Sequence, residues 1–159
     1  MSDLEHTFAV IMAGGGGVRL WPLSRKARPK QMVRLLKERT LFQLAVDRVK
    51  DILPLDHIYV VTAQDQAAEL QNQYTDIPVE NFLLEPSPKN TATVVGYAAV
   101  ALRQRDPQAR MIVLTADHFI ENVSYFQRLL RAGLQVADEG YLVTLGITPS
   151  YPTSGYGYI

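Results

Sequence analysis

The sequence predicts an α/β fold, a mostly parallel sheet with helices on both faces. Short β-rich apolar runs alternate with helix-period segments about four times along the chain. Hydrophobic residues make up 47% and charged residues 20% of 159 residues, which fits one packed domain or the larger part of one. No internal repeat or low-complexity linker interrupts the alternation.

The first strand is TFAVIM (Thr7–Met12), a short apolar run stopped by glycine. TLFQLAVDRVKDIL (Thr40–Leu53) has apolar residues at 41, 42, 45, 46, 49, 52 and 53, a helical spacing with Thr40 at the N-cap and Pro54 as the stop. HIYVVT (His57–Thr62) reads as a strand, Gln64–Tyr74 as a polar-faced helix, and NFLLE (Asn81–Glu85) as a strand closed by PSP. Asn90–Arg105 is a helix apolar on nearly every side, so heavy burial is expected. RMIVLT (Arg110–Thr115) is the most strand-like run. Ser124–Glu139 follows as a helix, capped by Ser124 and ended by Gly140 at C′. YLVTLGI (Tyr141–Ile147) predicts a further strand. TSGYGYI reads as a strand just beginning, so the chain is expected to be cut inside a larger fold.

Composition narrows the function. Lys+Arg and Asp+Glu cancel at 16 each, which argues against a general nucleic-acid or membrane-surface binder. The absence of cysteine removes disulfides, thiolate metal sites and thiol catalysis. The longest apolar stretch, Val94–Leu102, is nine residues and cannot span a bilayer. The run Phe8–Ala13 behind an acidic start is too short for a signal peptide. A cytoplasmic protein is expected.

The loop after the first strand, AGGGGVRLWPLSRKARPK, holds four consecutive glycines (Gly14, Gly15, Gly16 and Gly17) and then a run of cations. Ligands of a parallel α/β sheet sit outside the carboxyl ends of its strands, and glycines there let main-chain N–H groups converge on a phosphate. Two familiar glycine loops fail: no Lys-Ser/Thr pair completes a P-loop, and Arg19 and Leu20 stand where a dinucleotide fingerprint needs glycine. From Arg19 to Arg34 there are six cations and no acid, stiffened by Pro22 and Pro29. That combination points to a polyphosphate site. A solvated surface loop is the alternative.

Two carboxylates fall on the same rim. Asp117 follows the most strand-like segment, where a carboxylate can hold Mg²⁺; a turn or cap aspartate is the plainer reading of the residue by itself. Glu85 ends another strand, and a carboxylate is a natural bidentate acceptor for the adjacent N–H donors of guanine. A surface glutamate at a strand end is the alternative. Asn90 and Thr91 open a helix whose N-terminal amides can contact a base or ribose, or are simply capped. His118 reads as a structural neighbour, and His6 and His57 carry no signal.

GGGGVRLWPLSRKARPK resembles the GGxGxRLxPLxxxxPK motif of the sugar-1-phosphate nucleotidyltransferases, and the Trp of RLWPLSR is similar to that of the bacterial mannose-1-phosphate guanylyltransferases (GDP-mannose pyrophosphorylases). TLFQ (40–43), EPSPKNTA (85–92), TADH (115–118) and GYGYI (155–159) follow in the family's order and spacing. Val18 stands where the family usually has Thr, and Thr115 where Pro is usual.

The resemblance implies a Rossmann-like, GT-A-like nucleotidyltransferase domain, with residues 1–159 as its N-terminal nucleotide-binding portion, truncated at the C-terminus. It implies GTP and mannose 1-phosphate as substrates, GDP-mannose and pyrophosphate as products, and Mg²⁺ held by Asp117. Arg19 is expected on the β- and γ-phosphates and Lys30 on the α-phosphate and leaving group. Gly155, Tyr156 and Gly157 fall where the family contacts the sugar. Relatives that use uridine or thymidine nucleotides tend to have Gln at the position of Glu85. A uridylyl- or thymidylyltransferase acting on glucose 1-phosphate is one alternative; a non-catalytic nucleotide-binding or assembly subunit of the same fold is another. Homo-oligomerisation is left open.

Overall fold

The computed structural model describes residues 4–14, 32, 34–36, 39–87, 89–154 and 157. Its main sheet has four parallel strands: β1 (Thr7–Met12), β4 (Ile58–Ala63), β5 (Phe82–Glu85) and β6 (Arg110–Thr115), in the order β5-β4-β1-β6. β2 (Arg34–Leu36) and β3 (Arg39–Thr40) form a small antiparallel ribbon that no sequence period announces. The helices are α1 (Leu41–Asp47), α2 (Gln64–Gln73), α3 (Thr91–Arg105) and α4 (Val123–Ala137). None of the described helices is long and apolar enough to cross a membrane.

Alternation along β1 sorts the core into two layers. Ala9 and Ile11 face one side with Val60, Ile112 and Leu114, where Phe42 and Val46 of α1, Leu70 of α2, and Leu130 and Leu134 of α4 cover them. Phe8 and Val10 face the other with Tyr59 and Val61, covered by Val94, Ala98 and Leu102 of α3. Helices thus lie on both faces, as the alternating pattern predicts.

Thr40 caps α1 through a full capping box. Its hydroxyl accepts from the Gln43 amide at 3.1 Å, and the Gln43 side-chain oxygen accepts from the Thr40 amide at 3.0 Å. The α-helix is shorter than its apolar spacing predicts. Beyond Asp47 the backbone continues as turns that mix i→i+3 bonds (Val49 to Val46 and Ile52 to Val49, both 3.0 Å) with i→i+4 bonds (Lys50 to Val46 at 3.0 Å and Leu53 to Val49 at 2.9 Å), and Val49 and Leu53 stay buried. Asp47 locks this end to its surroundings. It accepts from Arg39 at 2.7 Å, pairs with Lys50 at 2.8 Å and accepts from the Tyr74 hydroxyl. Burial pushes its carboxyl up, but the Lys50, Tyr74 and Arg39 hydrogen bonds together hold it below the ordinary aspartate value.

Four expectations need correction. α3 is buried along one stripe only, while Tyr97 and Val100 on its outer side are 42% and 60% exposed. Much of its all-round apolar character comes from Ala and Gly, which expose little apolar area. α4 is capped by Asn122, whose side chain accepts from the Tyr125 amide at 2.9 Å, and Ser124 instead donates to Asn122. The C-cap is Asp138, so Gly140, with φ +91°, takes the left-handed turn one residue beyond C′. Tyr141–Ile147 forms no strand. It runs beside α4, with Val143 Cγ1 only 3.6 Å from where a Cβ on Gly133 would stand, and leaves Leu142 and Ile147 exposed. Strand propensity gives no ladder without a neighbouring strand, and the described residues supply none there.

Candidate functional site

Parallel strands bring all their carboxyl ends to one rim. Met12 is in register with Val61 and Thr115, and Ala63 with Glu85, so the loops after β1, β5 and β6 open together. Three bonds fix the rim. Ala13 N–H donates to the Val61 carbonyl at 2.8 Å, Ala116 N–H to the Met12 carbonyl at 3.2 Å, and the Thr62 hydroxyl to the Ala13 carbonyl at 3.2 Å.

Gly14 and Glu85 meet there. Glu85 Oε2 lies 3.0 Å from the point where a Cβ on Gly14 would stand, so the carboxylate reaches across β4 and rests on the first residue of the glycine loop. Any side chain at 14 would press on that oxygen. With glycine at 14 the carboxylate rests there without having to shift, and the contact joins two residues that the sequence placed on the rim separately. Glu85 is half-buried and makes no hydrogen bond or ion pair within the described residues, which leaves both oxygens as open acceptors.

Asp117 lies two residues past the end of β6, half-buried on the same rim. Glu85 and Asp117 stand on the two edge strands, three strand spacings or roughly 14 Å apart along the rim. Gly14 lies between them. Behind Asp117, Arg48 is only 4% exposed. Its Nη2 donates to the His118 carbonyl at 2.9 Å and its Nε to the Leu44 carbonyl at 3.1 Å. Burial pushes the guanidinium below its ordinary range, and the Asp117 carboxylate acts in the opposite direction. Arg48 escapes a sequence reading because a charged residue late in a helix looks solvated. The available signal is its spacing: seven residues after Leu41, it falls on the buried stripe.

Asn90 occupies the N-cap of α3, but its side chain makes no capping bond, so simple capping does not account for it. Asn90 and Thr91 are exposed at the start of α3, five and six residues past the end of β5. Gly157 is described, and among the described residues nothing lies within 4 Å of where a Cβ on it would stand. Gly15, Gly16, Gly17, Arg19, Lys30, Gly155 and Tyr156 lie outside the described residues. Among the described residues no three His, Cys, Asp or Glu side chains gather into a metal cluster. One rim carboxylate nonetheless suits Mg²⁺, which usually takes one or two protein carboxylates and completes its shell with water and substrate phosphate.

A parallel sheet with helices on both faces and its strand ends gathered at one rim defines an α/β protein. Residues 8–159 match the model of the nucleotidyl transferase family, and the chain belongs to that family. It is 39% identical over 152 residues to a mannose-1-phosphate guanylyltransferase of Escherichia coli, covering 94% of this chain and 32% of that one. With the mannose-1-phosphate guanylyltransferase of Sinorhizobium fredii (strain NBRC 101917 / NGR234) it shares 40% identity over 159 residues, covering 98% and 31%. The crystal structure of mannose-1-phosphate geranyltransferase from Thermus thermophilus is similar, with a TM-score of 0.85 and 35% identity over 95% of this chain and 44% of that one. The chain therefore spans about a third of the length of the curated relatives it matches.

Proposed function

We propose that the chain carries the nucleotide half of a guanylyltransferase site, in which mannose 1-phosphate and GTP give GDP-mannose and pyrophosphate. The observation that carries this reading is the Glu85 carboxylate, without a partner among the described residues and laid over Gly14 at the head of the glycine loop. A carboxylate accepts from the adjacent N1 and N2 donors of guanine, whereas the matching edge of a pyrimidine such as uracil offers a single N–H between two carbonyls. The relatives named for mannose-1-phosphate guanylyl transfer support the same substrates.

The nucleophile is an oxygen of the sugar phosphate. With a second pKa of about 6 it is ionised at neutral pH, so no general base is required. It attacks the α-phosphorus of GTP, the bond from that phosphorus to the bridging oxygen breaks, and the electron pair leaves on pyrophosphate. The chain has to hold two anions together and stabilise the charge growing on the leaving group. Main-chain N–H groups of Gly14, Gly15, Gly16 and Gly17 cradle the triphosphate, with Arg19 on its β- and γ-phosphates and Lys30 on the α-phosphate. Asn90 and Thr91 present the start of α3 to the base or ribose, and Gly155, Tyr156 and Gly157 begin the sugar contacts. Asp117 would hold Mg²⁺, which would supply positive charge to the substrate phosphates.

Pyrophosphate release tests the proposal. GTP with mannose 1-phosphate is expected to give the fastest release of any pair tried. Faster release from UTP or dTTP with glucose 1-phosphate would replace the substrates named here. GTP binding with no release from any pair is what the nucleotide half alone is expected to show, and UTP binding as tight as GTP would overturn the guanine reading.

A further inference from the structure

The strongest feature that the proposed chemistry leaves unused is the buried guanidinium behind Asp117. A cation removed from water is costly unless its donors are satisfied. Among the described residues the Arg48 side chain makes two hydrogen bonds, both to main-chain carbonyls. One is Leu44, on its own helix; the other is His118, 70 residues away. Its own carbonyl accepts from Gln127 Nε2 of α4 at 2.9 Å, so its backbone is anchored as well. Asp117 is the one carboxylate among the described residues whose charge acts on it, and it belongs to the turn that Arg48 grips. A guanidinium is suited to this work because its rigid fork serves two acceptors at fixed angles, which an ammonium cannot do.

We infer that Arg48 is a positioning residue for the rim carboxylate: by bonding the His118 carbonyl from the end of α1 it fixes the Ala116–His118 turn and sets the direction in which Asp117 meets the metal–nucleotide. This rests on the proposal that Asp117 is a metal ligand. Ionic and hydrogen-bonding partners behind a ligand commonly govern metal affinity by about 10–100-fold. Here the partner acts on the backbone next to the ligand, so its removal is expected to loosen the turn without removing the carboxylate.

The test is calorimetric titration of the chain with GTP in Mg²⁺ and in EDTA, read as the ratio of the two dissociation constants. Asp117→Asn is expected to bring that ratio close to one. Arg48→Met is expected to cut the wild-type ratio by about tenfold, and Arg48→Lys, which keeps the charge without the fork, by an intermediate factor. Circular dichroism and thermal melting are recorded for each variant. If Arg48→Met fails to fold, Arg48→Lys decides alone, with a threefold or greater loss expected. A wild-type ratio in the folded Arg48 variants, with Asp117→Asn impaired, overturns the role of Arg48 and leaves Asp117 in place. A wild-type ratio in Asp117→Asn overturns the metal assignment itself and the inference with it.

Discussion

In a protein that also supplies the sugar half of the site, Asp117→Ala is expected to slow pyrophosphate release by about 10²–10³-fold, the usual cost of removing one preorganised electrostatic contact in this class of reaction. Arg19→Ala is expected to do the same. The two losses have different origins. Asp117 sits on a half-buried turn behind β6, and on the proposed assignment its removal takes away the negative charge that would hold a divalent cation at the rim. Arg19 is proposed to contribute fixed positive charge to the triphosphate directly, so its variant is expected also to bind GTP more weakly in EDTA, where Asp117→Ala is expected to change little. Release rates and dissociation constants measured on the two variants side by side check this. Rates within threefold of wild type for both variants would remove these residues from the chemistry.

Phe42→Ala is expected to cost about 3–5 kcal/mol of stability, the range for deleting a buried aromatic ring. Phe42 is 0% exposed, lies at the centre of the layer between α1 and the sheet, and packs edge-on against Tyr74 with ring centroids 6.4 Å apart. Because α1 also carries Arg48 at its end, collapse of this layer disturbs the rim through the same helix. Urea denaturation gives the number. A loss below about 1 kcal/mol would mean that the site repacks and that the layer is not the main core.

The parallel strands were legible because buried strands write themselves as short apolar runs between glycines, prolines and caps. Thr7–Met12 and Arg110–Thr115 match their runs residue for residue. What failed to show is what depends on neighbours. Tyr141–Ile147 has the composition of a strand but lies along α4, since a ladder needs a second strand that the local sequence cannot announce. The β2–β3 ribbon is too short to have a period. The apolar face of α3 was over-read because alanine and glycine count as hydrophobic while adding little area to bury.

The rim followed the same rule. Gly14, Glu85 and Asp117 could be placed separately, each at the end of a predicted strand. That Glu85 lies on Gly14, and that a buried arginine from α1 holds the turn behind Asp117, are tertiary facts. They join residues 71 and 70 positions apart.

Selection of guanine by Glu85 at this rim is tested most directly by equilibrium binding of GTP and UTP to the wild-type chain and to Glu85→Gln. Wild type is expected to prefer GTP by about tenfold or more, the value of one charge-assisted hydrogen bond. Glu85→Gln, which offers a neutral amide of the same size, is expected to lose most of that preference while keeping its affinity for the triphosphate. Equal affinity of wild type for the two nucleotides, or an undiminished preference in Glu85→Gln, would contradict the account.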